Sequence, residues 1–338
     1  MSPAPDATDP LTRLRALPKA EVHLHLEGCF EPEVLERWAR DAGQPLPRPR
    51  ERLLQFEGLQ DFLHFLDWAC GLADTSDRLA ELAYSVSRRL AENGAGYADA
   101  IVNPTHWQAW NGRLPAMIDA FDAGLRAAEQ DGLTPVGLCI SLLRTQTADQ
   151  ALELVNLLAG LRHPRVVALS VDGNEALAGR TGPRFAEAFR QAGRQGLRRT
   201  VHAGESSGPE GVRDAVELLQ ADRIDHGVRA IEDPAVVCLL AERGIPLGIC
   251  PSSNLALGVY PRIEAHPVDK LRQAGVRVSL NTDDPVLLGT HLVREYALCR
   301  DAFGWDDDVL RALARNSIEA SFAPDGRKAE LLQALAAW

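Results

Sequence analysis

The chain has 338 residues, 46% hydrophobic and 25% charged, a size that suits either two average domains or one α/β barrel. Its net charge of -11 argues against nucleic acid or an anionic membrane as partner, because phosphate binding needs clustered Lys and Arg. Six cysteines (positions 29, 70, 139, 238, 250 and 299) form no C-x-x-C pair and read as reduced thiols of a cytoplasmic chain, and the longest apolar runs are strand-sized, too short for a bilayer.

Residues 1–10 hold neither a basic n-region nor an apolar h-region, so they read as a short disordered lead rather than a secretory signal. Residues 11–17 suit a short amphipathic helix stopped by Pro18. The stretch 20–26 then alternates, placing His23 and His25 on one face of a strand and Val22, Leu24 and Leu26 on the other. Two imidazoles pointing into the same space are costly in a core unless something binds them, which makes them metal ligands or a pair of satisfied core histidines.

Residues 30–74 break the rhythm, with Pro32, Pro45, Pro47 and Pro49 among helical patches and an aromatic-rich patch over 56–68. This is a helical insertion that either folds over the site as a lid or serves as a plain structural cap. His64, at helical spacing beside Leu63 and Leu66, reads as packing or substrate wall, not as a ligand.

A regular beat follows. Strand-like runs lie at 96–102, 136–142, 166–171, 197–202, 223–226, 245–250 and 276–281, separated by segments of helical period. Several of these segments end in glycine (94, 132, 196, 244, 275), as helices commonly do. With the first strand that makes eight, and such alternation implies a parallel sheet closed into a (β/α)8 barrel. An open doubly wound sheet is the alternative, but no G-x-G-x-x-G follows the first strand. Residues 305–338 read as extra helices outside the barrel, and the whole chain 1–338 as one barrel domain.

Working groups of such barrels come from the C-terminal strand ends. There stand His23 and His25, Gly173-Asn-Glu175, His202 and Glu205, His226, Asn254 and Asp283-Asp284. Four of the nine histidines fall at strand ends; His64, His106, His163, His266 and His291 fall in loops or helices. His23, His25, His202 and Asp283 make a ligand set suited to one catalytic Zn²⁺ with an open position. Glu205, three residues beyond a ligand, is suited to carry a proton, and His226 to orient the attacking water-derived oxygen. Asp-Asp-Pro at 283–285 is equally a helix start, with an aspartate as N-cap and Pro285 at the first helical position. Residues 166–173 lack the lysine that bridges two metals in binuclear hydrolases of this architecture, so a single metal is expected. No P-C-x-x-C occurs, which excludes a zinc site of the cytidine deaminase type.

The motifs Pro18-Lys-Ala-Glu-Val-His-Leu-His-Leu-Glu-Gly28, Thr200-Val-His-Ala-Gly-Glu205, Arg223-Ile-Asp-His-Gly227, Cys250-Pro-Ser-Ser-Asn254 and Ser279-Leu-Asn-Thr-Asp-Asp-Pro285 are long and stand in order. Together they resemble the adenosine/adenine deaminase family of the amidohydrolase superfamily, over about residues 15–320. The resemblance implies a (β/α)8 fold, one Zn²⁺ held by His23, His25, His202 and Asp283, and hydrolytic loss of ammonia from C6 of a purine. It further implies that Glu205 protonates ring N1 and His226 positions the attacking hydroxide. Asp284 would bond N7, the Gly173 N–H would meet N3, and His25 and Glu27 would face the substrate. N7 of an N9-substituted purine only accepts, so Asp284 must be protonated to bond it, and a raised pKa is expected in the complex.

Departures from the family pattern bear on the substrate. Glu27 stands where adenosine deaminases have Asp, as in the adenine-using branch, whereas Gly173-Asn-Glu175 resembles the nucleoside branch. Asp99-Ala-Ile101 replaces a Glu-x-Arg pattern, altering the wall made by Asn103-Pro-Thr-His-Trp107. The expectation is deamination of adenosine and 2′-deoxyadenosine in purine salvage, with adenine or a modified adenine as the alternative. A non-catalytic nucleoside- or metal-binding relative would have lost the acid or a ligand, and this chain keeps both.

Overall fold

A computed structural model describes residues 10–57 and 59–338; the expected disordered lead lies, but for Pro10, outside them. Eight strands follow one another: β1 (Lys19–His25), β2 (Ala95–Val102), β3 (Val136–Leu143), β4 (Val166–Asp172), β5 (Arg198–Ala203), β6 (Arg223–His226), β7 (Leu247–Ile249) and β8 (Val278–Leu280). Each pairs in parallel with the next. All eight match expected runs to within about two residues. The seam between β8 and β1 is closed just beyond β8, where the His25 N–H donates to the Asp283 carbonyl at 2.7 Å and the Asp283 N–H to the His23 carbonyl at 3.1 Å. The sheet is therefore a closed (β/α)8 barrel.

Local chemistry sets the crossovers. Thr147 and Gln150 form a reciprocal capping box at the start of Ala148–Leu161. Asp233 caps Pro234–Arg243, which ends on the left-handed Gly244. Helix Leu292–Phe303, capped by His291, is absent from the sequence reading. Of the helices after residue 305, Asp307–Ala320 packs against β1 and β8, and the Ser317 hydroxyl accepts from the Ala20 N–H at 3.0 Å. Among the described residues no helix is long and apolar enough to cross a membrane. All six cysteines are free thiols, and only Cys238 is exposed.

The barrel interior is partly ionic. Arg223 on β6 reaches across to Asp99 on β2 at 2.7 Å and donates from Nε to Asp225 at 3.2 Å, all three fully buried. Burying such charges costs several kcal/mol each unless hydrogen bonds saturate them. Here the Phe322 N–H donates to Asp99 at 3.0 Å, the Thr200 hydroxyl donates to Asp225 at 2.6 Å, and the guanidinium lies 4.4 Å over the Phe322 ring. The strand-two aspartate thus takes its cation from β6.

The insertion contains helices Pro32–Asp41 and Leu59–Leu72. Phe30 meets Trp38 in a T-shaped contact and Trp107 at a tilt, and Trp107 in turn makes a T-shaped contact with Phe121, tying the insertion to the β2 loop. His106 of that loop pairs with Asp67 of the insertion at 2.8 Å. His64 is exposed, so the reading of it as packing is corrected: the inner face of this helix is taken by Phe62, Phe65, Leu66 and Ala69.

Candidate active site

Closing the barrel brings the strand-end groups together. His23 Nε2 lies 3.1 Å from His202 Nε2 and 3.2 Å from Asp283 Oδ1, and His25 Nε2 lies 3.0 and 3.4 Å from the same two atoms. An ion about 2.0–2.1 Å from each ligand atom holds neighbouring ligands about 3–3.4 Å apart, so this cluster has the dimensions of a coordination polyhedron. Four lone-pair-bearing groups at such spacing repel one another unless a proton or a cation sits among them. His23 Nδ1 faces the Gly248 carbonyl at 3.0 Å, and a carbonyl only accepts, so in the neutral ring Nδ1 carries the proton and Nε2 offers its lone pair to the cluster. The donor set therefore fits a metal ion.

The protonation pattern says the same. Burial opposes charge on His23, but Asp225 and Asp283 overcome it and pull its pKa up to about 9. Burial and the neighbouring charges of His23 and His25 push His202 well below the ordinary imidazole value. Burial opposes ionisation of Asp283, yet its bond to His23 holds it well below the usual carboxylate range. One imidazole thus keeps a proton where a cation would sit.

Two of these residues are locally strained. Asp283 and His226 have φ of +66° and +64°, a region that side-chain-bearing residues rarely enter. For Asp283 the cause is the seam: its backbone bridges His23 and His25 while its side chain turns inward, Oδ2 accepting from the Ser253 hydroxyl at 2.6 Å. The helix-start reading of Asp-Asp-Pro is accordingly corrected. Residues 285–289 form turns, and the next helix begins only at Leu292.

Glu205 stands beside the cluster, its Oε1 3.5 Å from His226 Nε2. Burial, then Asp283 and Glu175, raise its pKa to about 8, so the carboxyl is protonated at neutral pH. His226 is the other way round: burial and His23 lower its pKa to about 3 and keep it neutral. Its tautomer is set from a distance. The Val268 N–H donates to His266 Nδ1 at 3.2 Å, leaving Nε2–H to donate to Asn254 Oδ1 at 3.0 Å. The Asn254 amide then donates to His226 Nδ1 at 3.3 Å, so the ring proton sits on Nε2, facing Glu205 and Asp283. The sequence reading left His266 outside the site; only its bond to a strand-end asparagine reveals it.

Asp284 is buried against Gly28, where a Cβ would fall 2.3 Å from Asp284 Oδ1, so only glycine fits. Burial, then Asp283 and Glu27, push the Asp284 carboxyl well above its usual range, towards the protonated form. Glu27 is also buried; its Oε1 accepts from the Asn103 N–H and from Trp107 Nε1, both at 2.7 Å, while Oε2 has no protein partner. Gly173, after β4, is exposed with φ of +97°. Every residue expected to act thus lies on a strand end of one barrel mouth, and His23, His25, His202 and Asp283 meet there.

The model of the family described as adenosine deaminase matches residues 18–338. The chain is 36% identical over 320 residues to a protein named adenine deaminase from Rhizobium meliloti (strain 1021), spanning 94% of this chain and 98% of that one. It is 35% identical over 324 residues to an aminodeoxyfutalosine deaminase of Streptomyces avermitilis, covering 94% and 90% respectively. A crystal structure of an amidohydrolase from Burkholderia ambifaria with bound Zn matches with a TM-score of 0.89 at 28% identity, over 99% of this chain and 94% of that one. That likeness and the four-ligand cluster point to a bound metal.

Proposed function

Because the chain belongs to the adenosine deaminase family and is a hydrolytic deaminase, we propose that it removes the 6-amino group of adenine or of a modified adenine as ammonia. The sequence-based expectation of adenosine is thereby revised, since the similar proteins carry the names adenine deaminase and aminodeoxyfutalosine deaminase. The observation that carries the reading is the placement of the half-buried Glu205, its pKa raised by burial, beside a four-ligand cluster.

His23, His25, His202 and Asp283 would hold one Zn²⁺, which when bound lowers the pKa of water to about 7. Glu205 delivers its proton to N1, making C6 electrophilic; as the water oxygen forms the C6–O bond one of its protons passes to the amine, which leaves as ammonia when the C6–N bond breaks, and its other proton returns to Glu205 as the C6 carbonyl forms. His226, with its proton on Nε2, orients the attacking oxygen. Asp284, kept protonated by burial, donates to N7, and the Gly173 N–H meets N3. Glu27 supports a free base: Oε2 is a buried acceptor at the site wall, and unsubstituted adenine carries an imidazole N–H that adenosine lacks. The insertion of residues 30–74, tied to this wall through His106 and Asp67, would act as the lid.

A second reading, an N9-substituted adenine compound, is favoured by the nearly equal likeness to the aminodeoxyfutalosine deaminase. Ultraviolet assays of adenine, N6-methyladenine, aminodeoxyfutalosine, adenosine and 2′-deoxyadenosine, ranked by kcat/KM, test both. Adenine should lead adenosine by at least about tenfold, the worth of one well-placed hydrogen bond, and under the second reading aminodeoxyfutalosine should lead instead. Adenosine leading the panel would overturn the substrate assignment.

A further inference from the structure

One buried carboxylate at the mouth neither gives nor takes a proton in the transfers above. Glu175 opens the short helix Glu175–Ala178 after β4 and is 4% exposed. Its Oε1 accepts from the Gly204 N–H at 2.9 Å, and its Oε2 from the N–H groups of Glu205, Ser206 and Ser207 at 2.8, 3.1 and 3.3 Å. Four successive amides curl round one carboxylate, the chain turning at Gly204 with φ of +65°. These bonds hold the amide side of the loop, while the Arg229 N–H and Nε donate to the Gly204 and Glu205 carbonyls at 2.9 and 3.1 Å on its other side.

The same brace reaches the opposite edge of the substrate position. Arg144, also buried, lies 3.9 Å from Glu175 Oε1 and donates to the Gly173 carbonyl at 3.0 Å and to the His202 carbonyl. Gly173 and Glu205 are the groups assigned to N3 and N1, two atoms of one six-membered ring. Arg144 and Glu175 thus link the Gly173 backbone to the loop that carries Glu205.

We infer that Glu175 is a positioning residue for deamination, fixing the loop of residues 204–207 so that the Glu205 carboxyl meets N1 of a ring held at Gly173. The inference rests on the proposed deaminase reading. Misplacing a reacting group by about 1 Å costs about a hundredfold in rate. Glu175→Ala should therefore lower kcat about a hundredfold, with KM within about threefold and zinc content unchanged. Glu175→Gln keeps an acceptor for three of the four amides and should recover most of the rate.

The deciding experiment is a double-mutant cycle with Glu205→Gln, read as kcat on the best substrate of the panel. If Glu175 acts through Glu205, adding Glu175→Ala to Glu205→Gln costs less than about threefold more. A full further hundredfold, or a Glu175→Ala enzyme with wild-type kcat, overturns the inference. Should Glu175→Ala fail to fold, the cycle is run with Glu175→Gln, whose smaller loss must likewise vanish in the Glu205→Gln background. A wild-type protein inactive on the whole panel would instead overturn the functional reading, so the two failures are distinct.

Discussion

Replacing Glu205 by glutamine preserves shape and removes only the transferable proton. Burial, then Asp283 and Glu175, raise the pKa of the wild-type carboxyl to about 8, which favours the protonated form that can donate at pH 7. A positioned general acid contributes about 10²–10⁴ in rate, equal to about 3–5 kcal/mol of barrier. Steady-state assays should show kcat reduced by that factor. KM should stay within a few-fold, because an amide fills the same space, and the metal should be retained, because Glu205 is outside the cluster of His23, His25, His202 and Asp283. The pH profile adds a second reading: wild-type kcat should fall as the pH rises through about 8 and the acid ionises, and Glu205→Gln should lose that limb. A loss below tenfold with metal bound, or an alkaline limb unchanged in the variant, would refute the assignment.

Asp284→Asn should keep at least about tenfold more kcat/KM than Asp284→Ala, since an amide still donates to N7; equal losses would show that no donor is needed there. Arg223→Met strands Asp99 and Asp225 in the barrel interior and should cost about 3–5 kcal/mol in denaturant unfolding, whereas a cost below 1 kcal/mol would mean that the pair is dispensable. Metal binding must displace the proton that His23 holds up to about pH 9, so affinity measured against a competing chelator should rise about tenfold per pH unit between roughly pH 6 and 8. A flat profile would contradict that exchange.

Much of the fold is legible in the sequence, because strands buried on both faces are apolar runs bounded by glycine-ended helices. The ligand set is legible for a related reason: His23, His25 and His202 interrupt such runs at their C-terminal ends, where polar side chains have no packing purpose. What escapes depends on closure. Nothing local puts Asp283 into a left-handed conformation; the β8–β1 seam does, and so Asp-Asp-Pro makes turns rather than a helix cap. That misplaced boundary also conceals the helix Leu292–Phe303. His266, and the role of Glu175, escape because their partners, Asn254 and residues 204–207, are fixed by tertiary packing alone. His64 misleads because helical spacing beside leucines does not say which side of the stripe faces in.

The central claim is that groups from β1, β5 and the turn after β8 hold one metal ion next to a proton donor. Anomalous diffraction at the zinc edge from crystals of the intact protein tests it directly. The account predicts one peak per chain, about 2.0–2.2 Å from His23 Nε2, His25 Nε2, His202 Nε2 and an Asp283 oxygen. Two peaks at the mouth, or a single peak bound elsewhere, would contradict it.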